Sequence, residues 1–325
     1  MGEFELLARL RERLPPAGPR VLLGSGDDAA VTVPGGATAT SIDALVDGVH
    51  FRRDTSTPAQ IGRKALATAL SDLAAMGAEP GEAYVAVGVP TDLDEDDCLE
   101  LLDGIADLAA ETGTALAGGD ITRGPVLTLA VTVVGHAATP EQLVTRGGAE
   151  AGDALVVTGE IGAAAAGLLL LEHPELLASV PERTAAALQA RQLDPTPRLA
   201  AGQALAAAGA RAMIDLSDGL GGDATHLATA SGVGLRIEAT LLPLAPGVVE
   251  VATAAGLDPL ELATAGGEDY ELLAALPPDR LATALGGVGQ ETALTRIGEV
   301  RGGKGVEIRL PGGAIAAPAG FDQLG

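Results

Sequence analysis

The chain has 325 residues, 47% of them hydrophobic, and carries a formal net charge of −24. That length allows about two domains, each able to bury its own core, and the apolar content excludes a disordered acidic tail. The acidic balance argues against nucleic acid, whose phosphates are met mainly by Lys and Arg, and lysine occurs only at Lys64 and Lys304.

The N-terminal stretch MGEFELLARLRERL reads as an amphipathic charged helix without the apolar core of a signal peptide. Short β-like runs follow at 21–23, 29–33 and 37–41, punctuated by Gly and Pro. Thr57 before Pro58 predicts a helix start, and the pattern runs on to Gly77. Residues 83–89 read as a strand, 94–113 as a helix with acids in its first turn, and 125–137 as a long β-branched strand. The polar, glycine-rich stretch 139–153 marks a boundary between an N-terminal domain, 1–138, and a C-terminal one, 139–325. Beyond it come the strand ALVVT (154–158), alanine-rich helices, and strands at AMIDLS, GLRIEA, DYELLAAL and GVEIRL. The expected fold is α/β or α+β, two-domain, with mixed sheets. Cys98 is the single cysteine, which excludes an intrachain disulfide, and it reads as packing. The longest apolar run, 161–171, is shorter than the roughly 20 residues needed to span a bilayer. A cytoplasmic protein without membrane contact is expected.

The stretch LLGSGDDAAV (22–31) imitates the GxGxxA of a dinucleotide-binding loop. Such a loop must open a helix that receives a pyrophosphate. Here the following AAVTVPGG alternates like a strand, and Asp27 and Asp28 would set negative charge against the phosphates. The aspartates are the informative part. Acidic clusters with Gly or Ser recur at the ends of apolar runs in GDDAAV, SIDALVDGVHF, LSDLAAMGA, GGDITRG, IDLSDGLGGD and GGEDYEL. Asp and Ser oxygens are hard ligands suited to Mg²⁺. Clustered carboxylates repel one another unless cations stand between them. The chain contains no GxxxxGK[ST] and no kinase-type HRD set, so any ATP chemistry must lean on metal ions in place of a P-loop lysine.

Together these motifs, with LVTRGGAEAGD and PTPR, resemble the thiamine-monophosphate kinase family of the aminoimidazole-ribonucleotide-synthetase-like ATP-binding superfamily. The resemblance runs from the N-terminal helix to GFDQLG. It implies a homodimer joined through N-terminal strands that form a β-barrel, and a cleft active site completed by the C-terminal domain. The implied reaction converts ATP and thiamine monophosphate into ADP and thiamine diphosphate with several Mg²⁺ ions. Position by position, it implies metal ligation by Asp28, Ser41, Ile42 (through its backbone), Asp43, Asp72, Asp120, Asp215 and Asp218. Gly119, Asp120, Arg146 and Ser217 match ATP-contacting positions, and His50, Glu268 and Phe321 match substrate-binding ones. Ile42 departs from the threonine associated with its position, which matters little if the carbonyl is the ligand.

The residues suit such a transfer. A substrate phosphate oxygen is already ionised near neutral pH, so no catalytic base is expected, and the four histidines show no dyad spacing. What the reaction needs is in-line positioning and charge cancellation, with Arg146 or Arg123 as a cationic clamp. Sister enzymes of the superfamily fit less well. The selenophosphate synthetases need a reactive Cys or selenocysteine near the N-terminus, and the hydrogenase-maturation enzymes a C-terminal cysteine. The purine-pathway synthetases carry other signatures around the first acidic loop. A non-catalytic Mg²⁺ or nucleotide binder is the remaining alternative.

Overall fold

The computed structural model describes residues 18–24, 29–289 and 292–310, together with Gly312, Ile315, Ala316 and Gly320. The expected N-terminal helix, Asp28 and Phe321 lie outside these residues. The chain divides into two compact units, residues 1–73 with 78–140, and 74–77 with 141–325.

In the first unit, β1 (Val21–Leu23) and β2 (Val31–Thr32) form a two-stranded antiparallel sheet. A four-stranded sheet follows, built from β3 (Ala37–Val46), β4 (Glu79–Val89), β5 (Ala115–Arg123) and β6 (Thr128–Ala137) in the order β3-β6-β4-β5. Among the described strands of this sheet only β4 and β5 run parallel, because helix α2 (Glu95–Thr112) crosses between them. Helix α1 (Pro58–Ala75) joins β3 to β4. Its start is a reciprocal cap: the Gln60 amide donates to Thr57 Oγ1 at 3.2 Å, and the Thr57 amide to Gln60 Oε1 at 2.9 Å. Asp94 caps α2 by accepting from the Asp97 amide at 2.9 Å, and Gly113, at φ 70°, ends it in the left-handed conformation. Leu66, Leu70, Leu101 and Ile105 from the two helices are buried, with Leu129, Val131 and Val133 of β6.

The second unit is a seven-stranded sheet with helices. It contains β7 (Ala154–Thr158), β8 (Ala212–Asp215), β9 (Gly234–Glu238), β10 (Leu272–Leu276), β11 (Leu294–Arg301), β12 (Gly305–Arg309) and β13 (Ile315–Ala316). Their order is β13-β12-β9-β11-β7-β10-β8, with β12 and β9 the parallel pair. The helices are α3 (Ala163–Glu172), α4 (Glu182–Leu193), α5 (Leu199–Ala208), α6 (Leu220–Ser231), α7 (Val248–Ala255), α8 (Pro259–Ala265) and α9 (Leu281–Gly287). Every residue of β7, β8 and β10 is buried. Leu155, Val157, Ile214, Leu273 and Ala275 lie in one core with Leu170, Leu188, Leu227 and Val251 of the helices.

The class is mixed α/β with mixed sheets, as expected. Several local expectations fail. The strand expected to end near residue 41 runs to Val46. The acidic clusters do not all end elements: Ser41 and Asp43 lie inside β3, Asp72 inside α1, and Gly119 and Asp120 inside β5. Neither β5 nor β11 was expected as a strand.

Candidate active site

In the first unit, β3 and α1 bring Ser41, Asp43 and Asp72 together. Ser41 Oγ donates to Asp72 Oδ2. Asp43 is two residues further along the same strand, so its side chain leaves the same face as Ser41. Burial, and then the Asp72 charge, push the Asp43 pKa up to about 6. Ile42 points the other way and is 67% exposed. The turn after β3 carries His50, whose Nδ1 accepts the Val46 amide at 3.1 Å while its carbonyl accepts Lys64 Nζ, also at 3.1 Å. Nδ1 is thus an acceptor and Nε2 keeps the proton in the neutral ring. Lys64, one of the two lysines, is buried beneath this turn.

Gly119 shares a transverse row of the sheet with Asp43, through Val85 and Val131. A Cβ at Gly119 would collide with the Val85 carbonyl, so only glycine lets β5 approach β4 there. Asp120 belongs to the next row, with Ala86, Ala130 and Ala44, which is the solvent-facing one. It therefore lies on the opposite sheet edge and the opposite face from Asp43, and the structure does not bring it to the Ser41–Asp43–Asp72 group.

In the second unit, the loop from β8 into α6 gathers Asp215, Ser217 and Asp218. Asp215 ends the buried strand, and Gly219, at φ 99°, turns the chain into the helix. Asp223, one turn into α6, accepts the Asp218 amide on Oδ2 at 3.1 Å. Burial, then Asp215, then Asp218, raise the Asp223 pKa to about 8, against the lowering effects of that hydrogen bond and of Arg146. Arg146 thus stands within electrostatic reach of this acidic group. The adjoining loop brings in Glu268: its amide donates to the Ser217 carbonyl at 2.9 Å, and the Tyr270 amide to the Leu216 carbonyl at 2.9 Å. Glu268 and Tyr270 both have positive φ, 67° and 50°, a strained backbone for residues with side chains.

A buried polar network holds that strained loop. Gln192 Nε2 donates to Glu268 Oε2 at 2.6 Å. Asp269 accepts the Gly162 and Ala164 amides at 2.6 and 3.1 Å. Glu271, fully buried, accepts from Arg191, Arg198 and Thr158 Oγ1. Sequence reasoning missed Gln192, Arg191, Asp269 and Glu271 as supports of Glu268, and missed Asp223. Asp223 sits inside the quoted IDLSDGLGGD. Arg198 is the arginine of PTPR, a motif noticed without a role.

Among the described residues, no group of three or more His, Cys, Asp and Glu is gathered closely enough to hold a metal ion alone. The donors are nonetheless oxygens only, in two groups of mutually repelling carboxylates. That chemistry fits Mg²⁺, which takes one or two protein carboxylates and completes its shell with substrate phosphates and water.

Residues 26–137 match the AIR synthase related protein N-terminal domain, and residues 150–311 match the corresponding C-terminal domain. The chain is 42% identical to the thiamine-monophosphate kinase of Escherichia coli K12 over 282 residues, 85% of this chain and 83% of that protein. Its fold superposes on the crystal structure of thiamine-monophosphate kinase from Stenotrophomonas maltophilia K279a with a TM-score of 0.83 and 36% identity, covering 95% and 96% of the two chains. It is also similar to AaThiL complexed with AMPPCP and TMP, with a TM-score of 0.77 and 30% identity, over 98% of this chain and 96% of that one.

Proposed function

The chain belongs to the thiamine-monophosphate kinase family, and from that premise we propose that it transfers the γ-phosphoryl group of ATP in line to the phosphate of thiamine monophosphate. The terminal P–O bond of ATP breaks, a substrate phosphate oxygen forms the new P–O–P link, and ADP leaves with the electron pair. The AMPPCP and TMP in the related AaThiL structure support this choice of substrates.

Asp28, Ser41, Asp43 and Asp72 with the Ile42 carbonyl, Asp215 and Asp218, and, at the far sheet edge and so for a separate ion, Asp120 are the residues that would hold Mg²⁺, which when bound neutralises charge on the phosphates and orients them. Arg146 and Ser217 engage the nucleotide, and glycine at 119 lets its phosphates approach the backbone. His50, Glu268 and Phe321 hold thiamine monophosphate, with Glu268 fixed by Gln192. No side chain has to remove a proton, because the attacking oxygen is ionised. The observation that carries this reading is the grouping of Asp215, Asp218 and Asp223 beside Arg146, tied by backbone hydrogen bonds to the Glu268 loop. We also infer a homodimer through the N-terminal strands, closing their sheets into a barrel.

The test is an assay of purified protein with ATP, Mg²⁺ and thiamine monophosphate, following thiamine diphosphate by chromatography. Product is expected from the monophosphate, none from thiamine, and none with excess EDTA. Radiolabelled γ-phosphate should not appear on the protein when thiamine monophosphate is left out. Absence of diphosphate while ATP still binds would move the chain to a sister activity.

A further inference from the structure

The second unit contains a cavity of about 570 Å³ that is lined by none of the residues assigned above to ATP, metal or thiamine monophosphate. Its size falls in the range of small-molecule sites, roughly 300–1,000 Å³. Ala187, Leu188, Ala245 and Pro246 give it an apolar wall, and Arg183, Arg191 and Arg198 bring three guanidinium groups to it.

The charges around it do not cancel. Arg191 and Arg198 share the buried carboxylate of Glu271; Asp269, whose charge also acts on Arg191, has its pKa pushed up to about 7 by burial, so below that pH one positive charge is left over. Arg183 makes no hydrogen bond or ion pair among the described residues and adds a second. Among the described residues, Glu160 is the acidic one lining the cavity, and it is exposed to solvent. In a chain of net charge −24 this local cationic excess stands out. Nor are the donors used up. The hydrogen bonds of Arg191 all leave from Nη2, and those of Arg198 from Nε and Nη2. A guanidinium has five N–H donors, so among the described residues Nη1 of each stays available. The buried carboxylate fixes both arginines in place, which removes much of the ordering cost of binding an anion.

We propose that this cavity binds a small phosphate ester carrying an apolar ring: the phosphate on the three arginines, the ring against Leu188, Ala245 and Pro246. It is a site additional to the one for the reacting substrates and does not depend on their assignment.

The experiment is calorimetric titration of the full chain with phenyl phosphate, in the presence of saturating AMPPCP, Mg²⁺ and thiamine monophosphate. One equivalent is expected to bind, with phenol at least ~10-fold weaker because the charge-assisted hydrogen bonds are missing. Arg183→Glu, on an exposed helix position, should weaken binding at least ~10-fold by reversing a lining charge, and leave the basal kinase rate unchanged. Ala187→Trp, which fills the cavity without touching its charges, should weaken it as well. Several results would overturn the proposal: no binding to the wild type, wild-type affinity in Arg183→Glu, equal binding of phenol, or competitive displacement by thiamine monophosphate. Loss in Ala187→Trp alone would also overturn it, since the cavity would then be an apolar pocket without anion recognition.

Discussion

Asp72 accepts a hydrogen bond from Ser41, and its charge is one cause of the raised Asp43 pKa, so the two carboxylates repel each other. Asp72→Asn keeps an oxygen for Ser41 and relieves the repulsion. The variant should fold with wild-type stability or slightly better, while turnover falls at least ~100-fold, the scale of losing one electrostatic contact to a transferring group. Wild-type-like turnover would sink the metal-binding role. Asp269 is a second residue where burial decides: desolvation lifts its pKa from 3.8 to about 7, with the Gly162 and Ala164 amides and Arg191 opposing. A carboxyl whose pKa is raised on folding binds its proton more tightly in the native state. Stability is then highest below pH ~4 for this group and declines as pH rises toward ~7. Between pH 5 and 7.5 that amounts to a loss on the order of 2 kcal/mol. Urea unfolding at the two values should show that loss in the wild type and lack it in Asp269→Asn; equal pH dependence in both would mean Asp269 is ionised throughout. Asp269, though it stands inside the acidic cluster GGEDYEL, is not marked there as a buried support, and Gln192 has no local signature. Their partners lie 107 and 76 residues away in the chain, so only the folded structure pairs them. Ser41 and Asp72 stand inside SIDALVDGVHF and LSDLAAMGA, where the pairing of Ser and Asp oxygens is legible from the sequence alone.

At the scale of elements, α1 and α2 cross where each has a glycine. A Cβ on Gly62 would strike the Leu101 carbonyl, and one on Gly104 the Ala59 carbonyl, so the two backbones touch. Glycine inside a helix ordinarily costs about 1 kcal/mol relative to alanine. Overpacking against rigid backbone costs about 1–3 kcal/mol or more, and it outweighs that gain here. Gly104→Ala should therefore destabilise the protein by at least about 1 kcal/mol in urea unfolding, and a stabilised variant would show that the helices can move apart freely. The same reasoning explains which elements were readable. β7 was placed to the residue because ALVVT is buried on both faces and bounded by Gly-Asp and Gly. β5, ALAGGDITR, carries two glycines and an aspartate and looks like a loop. It becomes a strand because α2 returns the chain parallel to β4, a tertiary cause with no local signature. β11, LTRIGEVR, mixes charges with a glycine that the close approach of Arg236 requires, and its register shifts near that point.

For the whole molecule, the open question is what covers the outer face of the first unit. β3 is a ten-residue edge strand, long enough to invite pairing with another chain. Ile42 on this strand is exposed, and so are Leu22, Val31 and Val33 elsewhere in the same unit, at 68%, 47% and 50%, apolar surface that a partner could cover. A second copy of the chain meets both needs, yet each copy brings a charge of −24. Apolar burial would then drive association, and long-range repulsion would oppose it. Salt screens the repulsion, with a Debye length falling from about 30 Å at 0.01 M to about 8 Å at 0.15 M, and leaves apolar burial largely intact. The proposed dimer should therefore tighten as salt rises over that range, by several-fold in dissociation constant measured by sedimentation equilibrium. Leu22→Asp combined with Val31→Asp should shift the protein to monomer at every salt concentration. A dimer that loosens with salt would mean that ion pairs hold the interface, and the exposed apolar strands would then need a different occupant.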